Sequence, residues 1–77
     1  MLTEQEELII LNQFIQDFKI GDMIFYEGHT NYAVILSIPI IVGYIKMIAF
    51  EVLVLKKQEK KIWKFGANGV KMIKKLC

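Results

Sequence analysis

The sequence contains no arginine: all ten of its cations are lysine. Lysine is a hydrated point charge that neutralises phosphate, whereas arginine supplies the planar fork that reads guanine edges or clamps a carboxylate. Base-specific DNA reading is therefore disfavoured, while non-specific attraction to an anion is not. Cysteine is nearly absent as well. Cys77 is the one thiol, so neither a disulfide framework nor a zinc centre can form within a single chain. That usage suits a reducing compartment, and a cytoplasmic location is expected. Proline, serine and histidine occur once each, as Pro39, Ser37 and His29.

Scarcity of these residues limits the chemistry. A Ser-His-acid triad would need Ser37, on a strand, to meet His29 at a loop tip with Asp22 or Glu27 as orienter; a strand serine and a turn histidine are the simpler reading. There is no GxxxxGK[ST] loop, and Gly66 and Gly69 are too few to cradle a phosphate. Glu4, Glu6 and Glu7 cluster where a helix begins, and the helix dipole accounts for them without a metal. No catalytic residue, metal or cofactor is expected. Seventy-seven residues leave room for one core, so residues 1–77 read as a single domain.

What is abundant is hydrophobic. Such residues make up 55% of the chain, which excludes a disordered tail and is high for a soluble monomer. Met1-Leu2-Thr3-Glu4 lacks the positive start of an export signal. The most apolar stretch, Tyr32 to Leu55, has an uncharged run only from Tyr32 to Ile45, shorter than the roughly 20 residues a spanning helix needs. Pro39 and Gly43 interrupt it, so a membrane span is not expected, although Lys56 to Lys61 would suit a positive-inside flank. Charge is divided along the chain: six acids against Lys19 in residues 1–31, then nine lysines against Glu51 and Glu59. Such polarity is satisfied within the fold, between copies of the chain, or by an outside anion.

Thr3-Glu4-Gln5-Glu6 has the capping-box pattern, and Leu8, Leu11, Ile15 and Phe18 follow at helical spacing, widened by Ile10 and Phe14. These signals predict a helix over 3–18. Beyond Gly21-Asp22 the chain turns to β-branched and aromatic residues; thirteen isoleucines against three alanines suit strands. Strands are predicted at Met23–Glu27, Tyr32–Ile38, Tyr44–Leu55 and Ile62–Phe65. Turns are predicted at 28–31 and 66–69, a turn or bulge at 40–43, and a charged hairpin tip at 56–61. Val70 to Leu76 fits either a strand or a helix. The fold class predicted is mainly β (α+β): an N-terminal helix followed, over 20–76, by a small, strongly bent five-stranded barrel. An open barrel would leave hydrophobic edges for another chain to cover.

Phe18-Lys19-Ile20-Gly21-Asp22-Met23-Ile24, Ala33-Val34-Ile35-Leu36-Ser37-Ile38, Ile48-Ala49-Phe50-Glu51 and Gly69-Val70-Lys71 stand in an order that resembles a Tudor-like or SH3-like barrel. The nearest named pattern is the small domain at the C-terminus of UvrD/PcrA-type DNA helicases. That resemblance implies a protein-docking role, bringing a helicase to RNA polymerase. The chain departs from the pattern in its first loop, Glu27 to Tyr32, and in a longer, more apolar stretch between Phe50 and Gly69. The layout is also similar to the Sm/Hfq fold, whose rings bind RNA, but Ile62-Trp63-Lys64-Phe65 carries no RNA-contact motif at the corresponding strand.

Two surfaces are candidates for binding. Lys56, Lys57, Lys60, Lys61 and Lys64 surround Trp63, and lysines tracking a backbone beside a stacking ring suit single-stranded nucleic acid held without sequence preference. The plainer alternative is a core tryptophan beneath a solvated hairpin tip. Leu11, Phe14 and Phe18 form the apolar side of the helix, for core packing or for a protein partner or second copy. The expected function is a non-catalytic protein-interaction module that docks on a partner, with a nucleic-acid-processing enzyme as the expected kind of partner. Two alternatives are a phage or mobile-element inhibitor that occludes such an enzyme, and direct DNA or RNA binding through the lysine hairpin.

Overall fold

In the computed structural model, which describes residues 2–27 and 31–76, the capping box forms as the sequence predicts. The Thr3 hydroxyl accepts from the Glu6 amide at 3.1 Å, and the Thr3 amide donates to the Glu6 carboxylate at 3.2 Å. These bonds satisfy backbone donors at the start of α1 (Glu4–Asp17), where three glutamates favour the positive end of the dipole. The helix sends Leu11 and Phe14 into the core and ends at Phe18, whose ring stacks on Phe14 at 4.1 Å.

Six strands follow: β1 (Met23–Tyr26), β2 (Tyr32–Ile35), β3 (Ile40–Val42), β4 (Met47–Val54), β5 (Glu59–Phe65) and β6 (Ile73–Leu76). A single turn of helix, α2 (Ala67–Val70), separates the last two. All pairings are antiparallel. β5 takes one edge of β4 along nearly its whole length; β3 and β2 lie end to end on the other. The sheet is thus five strands wide, with β5 at one side, then β4, the β2/β3 pair, β1 and finally β6. The fold is mainly β (α+β), an N-terminal helix followed by a strongly curled antiparallel sheet, as the sequence predicts. It is a half-barrel: among the described residues no pairing joins β5 to β6.

Several boundaries differ from expectation, each for a local reason. The predicted turn at 40–43 contributes strand β3, and the strand predicted from Tyr44 starts at Met47 because Gly43 to Lys46 form the hairpin turn. Gly43 makes this turn at φ +83°, a left-handed conformation that costs a side-chain-bearing residue. β2 and β3 are parted by Leu36 to Pro39, where Pro39 has no amide for the ladder. Ser37 repairs the gap: its hydroxyl accepts the Glu51 amide at 2.8 Å, while the Glu51 carbonyl accepts the Leu36 amide at 2.8 Å. The charged tip is narrower than predicted, since Glu59, Lys60 and Lys61 already belong to β5. Residues 70–76 combine the end of α2 with strand β6, so each of the two readings holds for part of the segment.

The core lies between α1 and the concave side of the sheet. Ile24, Ala33, Ile35, Ile48, Phe50, Val52, Val54 and Ile73 meet Leu11, Phe14 and Val70 there. Curling brings non-adjacent strands together, so Tyr26 of β1 stacks on Phe65 of β5 at 5.3 Å. Lys75 of β6 fastens the helix to the last strand. Its ammonium donates to the Asp17 carbonyl at the helix C-terminus, lies 3.2 Å from Asp22 and sits over the Phe18 ring at 5.1 Å. A cation suits that end of a helix dipole.

Candidate functional site

Directly opposed residues on antiparallel strands share a face, so the registers sort every side chain. Trp63 and Phe65 lie opposite Phe50 and Ile48 and face the core, where both pack. Lys60, Ile62 and Lys64 therefore occupy the outer, convex side. Lys61 shares the face of Trp63 but pairs with Glu59 at 3.7 Å in an exposed contact of little energetic weight. Lys56 and Lys57 are exposed in the turn that precedes β5. Strand alternation thus separates the Trp63 ring from Lys60 and Lys64, which the sequence groups together.

The helix residues are inside. Leu11 is fully buried and Phe14 is 4% exposed, so neither is available to a partner unless α1 lifts away. Phe18 is half-buried between Phe14 and Lys75. Core packing, one of the two uses expected of this stripe, is the one observed.

Ser37 is engaged with the Glu51 amide, and His29 lies outside the described residues, as do Gly28 and Thr30 of the predicted turn. Among the described residues no group of three or more His, Cys, Asp or Glu could hold a metal, and no helix is long and apolar enough to cross a membrane. Asp22 titrates below its ordinary value of 3.8, chiefly because the Lys19 amide donates to its carboxylate at 2.8 Å and further because Lys75 lies beside it.

Two features escape the sequence reading. The first is a cleft of about 340 Å³ lined by Tyr26, Asn31, Trp63 and Phe65, assembled by the curl of the sheet from residues far apart in the chain. The second is the convex face. In a sheet covered on one side only, outward positions are ordinarily polar. Here they include Met23 and Phe25 on β1, Tyr32 and Val34 on β2, Leu53 on β4 and Leu76 on β6, aligned in cross-strand rows by the registers. Phe25 and Tyr32 meet edge to face at 5.7 Å in one such row. Met23, Tyr32 and Leu76 are exposed, and Ile40 and Ile62, farther along, are exposed by more than half. Part of the apolar excess of the composition resides here; Ile9 on the helix and Ile20, Ile38, Tyr44 and Ile45 in the connecting segments are also exposed. Continuous runs such as Ala33 to Leu36 hide this pattern, because both parities are apolar and neither marks the core.

No family model, curated protein or solved structure matches this chain.

Proposed function

We propose that the chain is a non-catalytic protein-interaction module that docks on its partner through the convex face of the sheet. The observation that carries this reading is the uncovered apolar surface of Met23, Phe25, Tyr32, Val34 and Leu76 on the side opposite the helix. Burying it against a partner gains about 25 cal/mol for each Å² of apolar surface removed from water, a gain the folded monomer leaves unused. Apolar patches of this kind mark interaction sites. A protein partner accounts for this surface better than nucleic acid does, because the Trp63 ring and the Lys60 and Lys64 ammoniums face opposite sides, whereas strand binding combines stacking and phosphate contact in one groove.

The resemblance to Tudor-like and SH3-like barrels implies a docking role. Docking on a nucleic-acid-processing enzyme follows from the resemblance to the helicase C-terminal domain. The test replaces Met23→Glu and Tyr32→Glu together, two exposed positions whose substitution leaves the core alone. A partner retained from nuclease-treated lysate by the original chain and lost by the double variant, with circular dichroism unchanged, is the expected result. Loss of every bound protein on nuclease treatment alone refutes the proposal.

A further inference from the structure

Strand β5 ends the sheet on one side. Its seven residues pair with β4 alone, so among the described residues the backbone groups along its other edge have no ladder partner. An edge of this length is a template for a further strand. What surrounds it defines that strand. On the convex face of this strand stand Lys60, Ile62 and Lys64, with Ile62 66% exposed between the two lysines. On the opposite face the same strand contributes Trp63 and Phe65 to the aromatic cleft with Tyr26 and Asn31.

A second copy of β5 fits badly. Antiparallel self-pairing over the full strand centres on Ile62 and sets each Lys60 against the Lys64 of the other copy, and like charges directly opposed are destabilising. The arrangement that repels a copy attracts its electrostatic complement. We infer that the free edge of β5 accepts an extended, acid-bearing segment of a partner protein as an added strand. Its outward side chains set carboxylates against Lys60 and Lys64 with an apolar residue beside Ile62, and its alternate side chains turn toward the cleft of Tyr26, Trp63 and Phe65. Main-chain bonds supply the affinity of such an addition, and the alternating side chains its selectivity. The inference rests on the reading that the molecule docks a protein, but it uses the free edge of β5 and not the part of the convex face formed by β1, β2 and β6.

The probe is the blocked heptapeptide Ser-Glu-Leu-Val-Leu-Glu-Ser, compared with its counterpart bearing lysine for glutamate, with a version N-methylated at alternate backbone nitrogens, and with oligothymidylate. Trp63 is the only tryptophan, so its emission reports binding without a label. Binding of the acidic peptide should slow exchange of alternate β5 amides, and N-methylation on the pairing side should abolish it. The double variant K60E/K64E should weaken the acidic peptide about tenfold or more and strengthen the lysine peptide, as a charge swap requires. Peptide affinity should be unchanged in Met23→Glu/Tyr32→Glu, so failure at the convex face and failure at the edge are told apart. Indifference to N-methylation, absence of the charge swap, or tighter binding of oligothymidylate than of the acidic peptide overturns the inference.

Discussion

Truncating Leu11 to alanine measures what α1 is for. Leu11 is fully buried against the sheet, whereas Ile9, two residues earlier on the same helix, is 62% exposed. Removing a buried leucine side chain costs its transfer free energy together with the cavity left behind, about 3 kcal/mol and up to about 5 where neighbours cannot relax. A domain of 77 residues has roughly 4–12 kcal/mol of total stability, so Leu11→Ala removes a large share of it. At about 4–8 °C for each kcal/mol in a domain of this size, the midpoint of thermal unfolding should fall by roughly 12–24 °C. Ile9→Ala should stay within about 0.5 kcal/mol of the original chain. Urea unfolding followed by circular dichroism, with thermal melts of both variants, makes the comparison. If Leu11→Ala and Ile9→Ala lose similar, small amounts of stability, the helix does not seal the core and its apolar stripe is free for a partner after all.

Ser37→Ala should cost about 1 kcal/mol in urea unfolding, because it removes the hydroxyl that holds the Glu51 amide at the β2/β3 interruption, where water can partly replace it. The Asp22 carboxyl, whose folded pKa is depressed below 3.8, should contribute stability that is fully present above that value and lost as pH falls through the lower, folded pKa. Asp22→Asn should therefore be less stable than the original chain near neutrality, with the gap closing in acid; a gap that widens on acidification would contradict the assignment. Gly43→Ala should destabilise by about 1 kcal/mol or more, since its left-handed backbone disfavours a Cβ that would also lie 3.3 Å from the Ile45 carbonyl oxygen. A melting temperature unchanged by Gly43→Ala would show that this hairpin relaxes freely.

The helix was readable because its signals are local: a cap, three acids and an apolar period all fall within residues 3–18. The succession of strands was readable for the same reason, from β-branched runs punctuated by Gly21, Pro39, Gly43 and Gly66. Faces were not. Alternation pairs Trp63 with Phe65 and Lys60 with Lys64, but which parity meets the core depends on register with β4, a long-range fact that no local window contains. The same limit concealed the aromatic cleft, where Tyr26 and Phe65 stand 39 positions apart in the chain and meet only through the curl. Strand β3 was obscured differently, because Pro39 and Gly43 bracket three residues too few to show a period. Its pairing with β4 supplies what its own sequence lacks.

The ammonium of Lys75 reaches a carbonyl 58 residues earlier in the chain, at the end of the first helix. During synthesis, that helix is made long before the strand that secures it. Its cap and apolar period are local to residues 3–18, yet the Lys75 contacts come only when β6 has docked beside β1. Closing so long a loop slows folding more than it weakens the finished structure. A nascent chain halted before β6 would lack the Lys75 contacts and the Ile73 side chain of the core, and would leave β1 as an open edge of the sheet.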